Sequence, residues 1–193
     1  MNTKISIMFT VAGDPAAIGQ AELLAMKTGA IEIGVPFSDP VAESPGVQKA
    51  NLRALAAGAK DGAVEAALAM AKTLRTETDA KIVLYSYYNP VFRFGLDRFF
   101  KQCSEVGVDG VTLTDLPFEE QGEAKAPAAT NGVALLSTIA TTDTERAKQI
   151  ASVAEGYLRI EPVGSPAQLE AVLAVVKEIA TVPFALCQLS PEA

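Results

Sequence analysis

Short apolar runs alternate along this chain with longer stretches whose apolar positions recur every three or four residues. The short runs cover 5–11, 31–35, 82–88, 108–114, 133–139, 157–160 and 183–189, and each reads as a buried β-strand. Turn residues close them, as in Gly13-Asp14-Pro15 after the first run and Pro36 after the second. The intervening stretches read as helices. Leu96, Phe99, Phe100, Cys103 and Val106 share one helical face, as do Leu169, Val172, Leu173, Val176 and Ile179, and Val64, Leu68 and Ala71 mark a third. A further helix is predicted over 16–28, and Gly29, Gly58, Gly107 and Gly132 stand where helices should end. Strand and helix in strict alternation imply a parallel sheet with right-handed crossovers. Seven such units leave two architectures open: a doubly wound sheet, or a (β/α) barrel of the eightfold type that is one unit short.

The length of 193 residues sits just under the roughly 200 that the smallest complete barrels need. No linker or low-complexity segment divides it, so residues 1–193 are expected to form one domain. Sixteen basic against 23 acidic residues leave a net charge of −7, with no basic run. A nucleic-acid or anionic-membrane partner is therefore not expected. The N-terminal apolar run is too short to span a bilayer, and two widely separated cysteines, Cys103 and Cys187, read as free thiols of a reducing cytoplasm. The chain has no histidine, which excludes Ser-His-Asp and Cys-His catalysis and any His-ligated metal. Neither a phosphate-cradling glycine motif nor a metal-ligand cluster is present in the sequence, so no cofactor or metal is expected on this chain. Any acid or base must be a carboxylate, Lys, Tyr or Cys.

Glu32 stands out because it interrupts an apolar strand, Ile31-Glu32-Ile33-Gly34-Val35, and alternation turns it away from Ile31 and Ile33. A carboxyl buried without a partner holds its proton more tightly and becomes a usable acid/base near neutrality. The strand alone supports equally a structural Glu paired with a buried Lys or Arg. Glu43, in the polar connection 39–49, could supply a second carboxylate in a wetter setting, or be one more solvated loop acid. Tyr85 and Tyr87 point to one face of the third strand, as the wall of a flat ligand or as ordinary core. Asp115 ends the fourth strand, where barrel and open-sheet sites both form, but where turn-capping Asp is also common.

The segments FTVAGDP (9–15), IEIGVPFSDPVAE (31–43), VQKANLRALAAG (47–58), IVLYSYYNPVFRFGLDRFF (82–100) and GVDGVTLTDLPFEE (107–120) resemble, in order and spacing, the tryptophan synthase α-chain family. The resemblance is strong over roughly 7–150. It implies a TIM (β/α)8-type barrel. It also implies retro-aldol cleavage of indole-3-glycerol phosphate to indole and glyceraldehyde 3-phosphate. The implied partner is a pyridoxal-phosphate β chain in an α2β2 assembly, with the cofactor on the β chain only. The resemblance places Glu32 at the family's acid/base. Glu43 takes the place of an Asp that contacts the indole nitrogen, with Ser44 where the family has Gly. Tyr85 and Tyr87 fall on the indole pocket.

The C-terminal third departs from the family. Its sixth strand leads through Glu161-Pro162-Val163-Gly164 straight into a helix, without the family's mobile loop, and Arg159 stands at an aromatic position. The turn Ala185-Leu186-Cys187-Gln188-Leu189-Ser190 lacks the glycines whose backbone N–H groups bind phosphate. No eighth strand precedes Ala193, and no N-terminal helix plugs the barrel bottom. Weak or absent cleavage is expected, together with open edges beside the first and seventh strands that favour pairing with another chain. A fragment of a longer chain and a natural short form both fit. So does a non-catalytic α-like subunit that docks on and activates a β chain, or an orphan (β/α) protein with a small ligand.

Overall fold

The computed structural model describes residues 3–17, 19 and 28–187. The helix predicted over 16–28 and the turn residues 188–190 therefore fall largely outside the described residues. Eight strand segments are present: β1 Ile7–Val11, β2 Ala30–Gly34, β3 Lys81–Ser86, β4 Gly110–Leu113, β5 Ala134–Leu135, β6 Thr138–Ile139, β7 Leu158–Ile160 and β8 Phe184–Leu186. The helices among the described residues are α1 Pro45–Ala56, α2 Ala63–Arg75, α3 Tyr88–Phe94, α4 Leu96–Glu105, α5 Gly122–Thr130, α6 Thr144–Ser152 and α7 Pro166–Ile179.

All strand pairs are parallel, in the orders β1-β2-β3-β4-β5 and β6-β7-β8. The run 133–139, expected as one strand, is interrupted at Leu136 and Ser137. There the chain changes neighbours: the Leu136 N–H still donates to the Val111 carbonyl, while the Ser137 carbonyl already accepts from Arg159 N–H. The two sheets thus share one continuous run, and seven barrel strands result. The seam expected to stay open is bridged at one point, just ahead of β1. Lys4 bridges to Phe184, Ile5 N–H donates to the Phe184 carbonyl at 2.9 Å, and Phe184 N–H donates to the Thr3 carbonyl at 3.2 Å. Residues 3–5 thus pair both backbone groups of Phe184, whereas no ladder joins β1 itself to β8 among the described residues.

The alternation read from the sequence places the core in two layers. Ile31, Ile33, Ile82, Leu84 and Val111 face outward and pack against α2, α4 and α5, where Phe99, Phe100 and Cys103 are fully buried. Ile139, Leu158, Ile160 and Phe184 pack likewise against α6 and α7. The opposite faces line the barrel. Ala30, Val83, Leu136, Tyr157 and Ala185, with Ile5 and Ile7, fill its lower part. Above that apolar floor, registers Phe9↔Glu32, Gly34↔Tyr85 and Arg159↔Ala185 carry the polar side chains toward the C-terminal mouth. A Cβ at Gly34 would stand 2.9 Å from Phe9 Cζ, so any larger residue there would push the Phe9 ring aside. At the opposite end of the barrel, where helices return to strands, α4 and α5 end in left-handed glycines, Gly107 and Gly132, with φ of 80° and 66°.

Candidate active site

Glu32 sits inside the barrel, 2% exposed, and it has partners. Its Oε1 accepts from the Tyr157 hydroxyl at 2.5 Å, and its Oε2 accepts from Arg159 Nη1 at 2.6 Å. Burying a charge is costly unless it is paired and hydrogen-bonded, and here both conditions are met. The pairing with a buried Arg, one of the two readings the strand left open, is therefore present. It leaves a chemical role open, since each carboxylate oxygen keeps a further acceptor site.

The Arg159 guanidinium is itself buried, with its Cζ 4.6 Å from the centroid of the Tyr85 ring. Its Nη2 lies 3.9 Å from Glu161 Oε1, and its Nε–H has no acceptor among the described residues. Burial pushes the Cys187 thiol up to about 11, with Arg159 beside it pulling the other way. From Tyr85 the chain of contacts continues outward. The Tyr85 hydroxyl donates to Glu43 Oε1 at 2.7 Å and lies 2.9 Å from Thr114 Oγ1. Phe9 meets the Tyr85 ring edge-on, with centroids 5.5 Å apart. Glu32, Arg159, Tyr85 and Glu43 thus form one connected path from the barrel interior to its mouth.

Glu43 is half-buried rather than fully wet. Loss of solvent raises its carboxyl above the ordinary value, against the opposing pull of the Tyr85 hydrogen bond and the Arg159 charge. Its loop is held from three sides. The Tyr87 hydroxyl accepts from Ala42 N–H at 2.9 Å, Gln48 Nε2 donates to the Glu43 carbonyl at 2.9 Å, and Asn51 Oδ1 accepts from Phe37 N–H at 2.9 Å. The Q-x-A-N spacing on α1 is thereby explained, because Gln48 and Asn51 face the loop from adjacent turns. Ser44, the departure from the family glycine, is the N-cap of α1, its hydroxyl 3.5 Å from Val47 N. Tyr87 is buried, stacks obliquely on Phe37 at 5.0 Å, and burial raises its hydroxyl to about 12.

Asp115 lies apart from this path. It is exposed at the rim, where its Oδ1 accepts from Tyr88 N–H at 2.6 Å and so caps the first turn of α3. The structure thus brings Glu32, Glu43, Tyr85 and Tyr87 together and sets Asp115 at the edge. Sequence reasoning omitted Arg159 and Tyr157 from the site. The signal was available, since Arg159 interrupts the apolar strand β7 as conspicuously as Glu32 interrupts β2, and a buried acid calls for a buried base. The space that remains between Glu43, Tyr85, Tyr87, Phe9 and Gly34 is small, about 10 Å³, enough for a single water at most.

Comparison with known proteins places the chain in a family. The family model described as tryptophan synthase alpha chain matches residues 1–186. A tryptophan synthase alpha chain from Geotalea daltonii is 42% identical over 160 residues, which are 80% of this chain and 60% of that relative. One from Shouchella clausii is 37% identical over 195 residues, covering 94% of this chain and 71% of the relative. This chain therefore spans less than two thirds of the first relative's length. Among solved structures, a chain of the tryptophan synthase α2β2 complex from the hyperthermophile Pyrococcus furiosus superposes with a TM-score of 0.83 at 29% identity. That match covers 97% of this chain and 79% of the other. With the family model matching nearly the whole chain and the parallel barrel superposing on solved members, the chain belongs to the tryptophan synthase alpha chain family.

Proposed function

We propose that this chain is a lyase of tryptophan biosynthesis, cleaving indole-3-glycerol phosphate to indole and glyceraldehyde 3-phosphate in the cytoplasm. The observation that supports it best is the convergence of Glu32 and Glu43 on one mouth of the barrel, linked through Arg159 and Tyr85. A retro-aldol cleavage must take a proton from the hydroxyl on the carbon next to the indole ring and deliver one to indole C3 as the carbon–carbon bond breaks. Glu32, on the barrel axis, is assigned both transfers. Glu43 accepts the indole N–H, whose acidity rises as the ring gains positive charge. Tyr85 and Phe9 wall the ring, and Tyr87 holds the Glu43 loop.

Cleavage is expected to be slow. Glu43 is one methylene longer than the family's Asp, and a misplacement of about 1 Å can cost on the order of 10²-fold in rate. The segment after β7 runs through Gly164 straight into α7 without the family's mobile loop, and the turn beginning at Ala185 lacks the family's phosphate-binding glycines. The product indole would pass to a β chain, which carries the pyridoxal phosphate. Val41, 84% exposed on the Glu43 loop, offers an apolar contact that would couple such docking to the site. No helix among the described residues is long and apolar enough to cross a membrane.

The test is indole release from indole-3-glycerol phosphate by purified protein, alone and with a β chain. A slow rate that Glu32→Gln eliminates is expected. No indole under either condition would remove the lyase reading. The non-catalytic reading draws on the Glu32–Arg159 pair and predicts instead that this protein accelerates a β chain's conversion of indole to tryptophan without releasing indole itself.

A further inference from the structure

We infer that Arg159 is a gate for the aromatic ligand: paired to Glu32 it closes the cleft, and swung onto Glu161 it opens it. The inference rests on reading the cleft as the indole site. Three observations carry it. The guanidinium covers a face of the Tyr85 ring on which an aromatic ligand would stack, its Cζ 4.6 Å from the centroid, and the adjoining cleft lined by Tyr85, Tyr87, Phe9 and Glu43 has a free volume of only about 10 Å³. Its buried Nε–H finds no acceptor among the described residues, so the closed pose is incompletely satisfied, whereas a guanidinium held permanently in a barrel would be expected to have its donors met. A second seat already exists. Glu161 is two residues along the same face and nearer the mouth, and its Oε1 is 3.9 Å from Nη2.

Two seats matter energetically. An arginine that left Glu32 with no other carboxylate would remain an unpaired buried charge, which is costly. Moving one layer up to Glu161, whose side chain is 32% exposed, keeps the pair and gains solvent. The neighbours in register on either side of Arg159, Thr138 and Ala185, are small. Once Arg159 has moved, Glu32 is uncovered to the ligand in the same event, so opening the cleft and freeing the acid/base are one step. Arg159 is then a specificity-determining residue acting through position; it takes no part in bond making.

The test uses indole itself. The chain has no tryptophan, so indole fluorescence reports binding directly. Closed and open populations in a ratio of about 10 to 100 would weaken apparent affinity by that same factor. Arg159→Leu should therefore bind indole roughly 10- to 100-fold tighter. Glu161→Gln, which removes the open seat, should bind it more weakly than the wild type. Because Arg159→Leu leaves Glu32 unpaired, Glu32→Gln/Arg159→Leu is measured beside it. That variant has no unpaired charge and should also bind tighter than Glu32→Gln alone. Equal affinity across the set, or no indole binding by any variant, overturns the gate. Tighter binding by the Arg159 variants with no indole released from indole-3-glycerol phosphate leaves the gate standing and refutes the lyase reading.

Discussion

Arg159→Met tests the buried pair at the centre of the barrel. Methionine keeps most of the side chain's length and removes its charge, so the change isolates electrostatics from packing. In the wild type the two side chains are 7% and 3% exposed and 2.6 Å apart. After the substitution Glu32 keeps only the Tyr157 hydroxyl. Breaking a buried pair by removing one partner costs about 3–5 kcal/mol, because the other charge is left uncompensated. That is a large part of the roughly 5–15 kcal/mol by which a domain is stable. For a chain of this size the loss corresponds to a fall in Tm of roughly 6–20 °C. Thermal and urea unfolding of four proteins, wild type, Arg159→Met, Glu32→Gln and the double variant, would close the cycle. Neutralising both partners should recover most of the loss, since apolar or neutral replacements of buried pairs are often isoenergetic with them. A single variant that melts within about 2 °C of the wild type, or a double variant whose loss is the sum of the singles, would refute the reasoning.

Three further outcomes are expected. Burial holds the Glu43 carboxyl above its ordinary value of 4.5, so between that value and its folded value the native chain retains a proton the unfolded chain has lost. Stability should therefore decline as pH rises through that window, and Glu43→Gln should flatten the dependence of the urea midpoint there. Tyr85→Phe removes a hydrogen bond that pulls Glu43 downward, so the limb of the rate profile for indole release that reports Glu43 should move to higher pH; an unmoved limb would separate the two residues. Asp115→Ala should cost about 1 kcal/mol through the lost cap on α3, read as a shift in urea midpoint, with little change in KM if capping is its whole role.

Much of the barrel was legible because its determinants are local. Period-two and period-3.6 patterns fix which residues of 31–35 or 96–106 face helices, and they hold wherever the element ends up. The break at Leu136–Ser137 and the seam at Lys4–Phe184 were not legible, because strand pairing is a property of closure around the ring and not of either strand. Glu32 could be singled out from its own strand, since a carboxylate among isoleucines must be accounted for. Its partner could not: Arg159 lies 127 residues away, joined only when β2 and β7 meet across the barrel. The same holds for Glu43. Sequence showed a polar loop acid, but its half-buried state follows from Tyr85, Tyr87, Gln48 and Asn51 converging on that loop. The sequence by itself determined the units, their order and the family. Long-range packing set the protonation environment of the second acid and the partner of the first. Both depend on which side chains from distant strands share a small, poorly solvated space, where a pairing distance of a few ångströms outweighs any local preference.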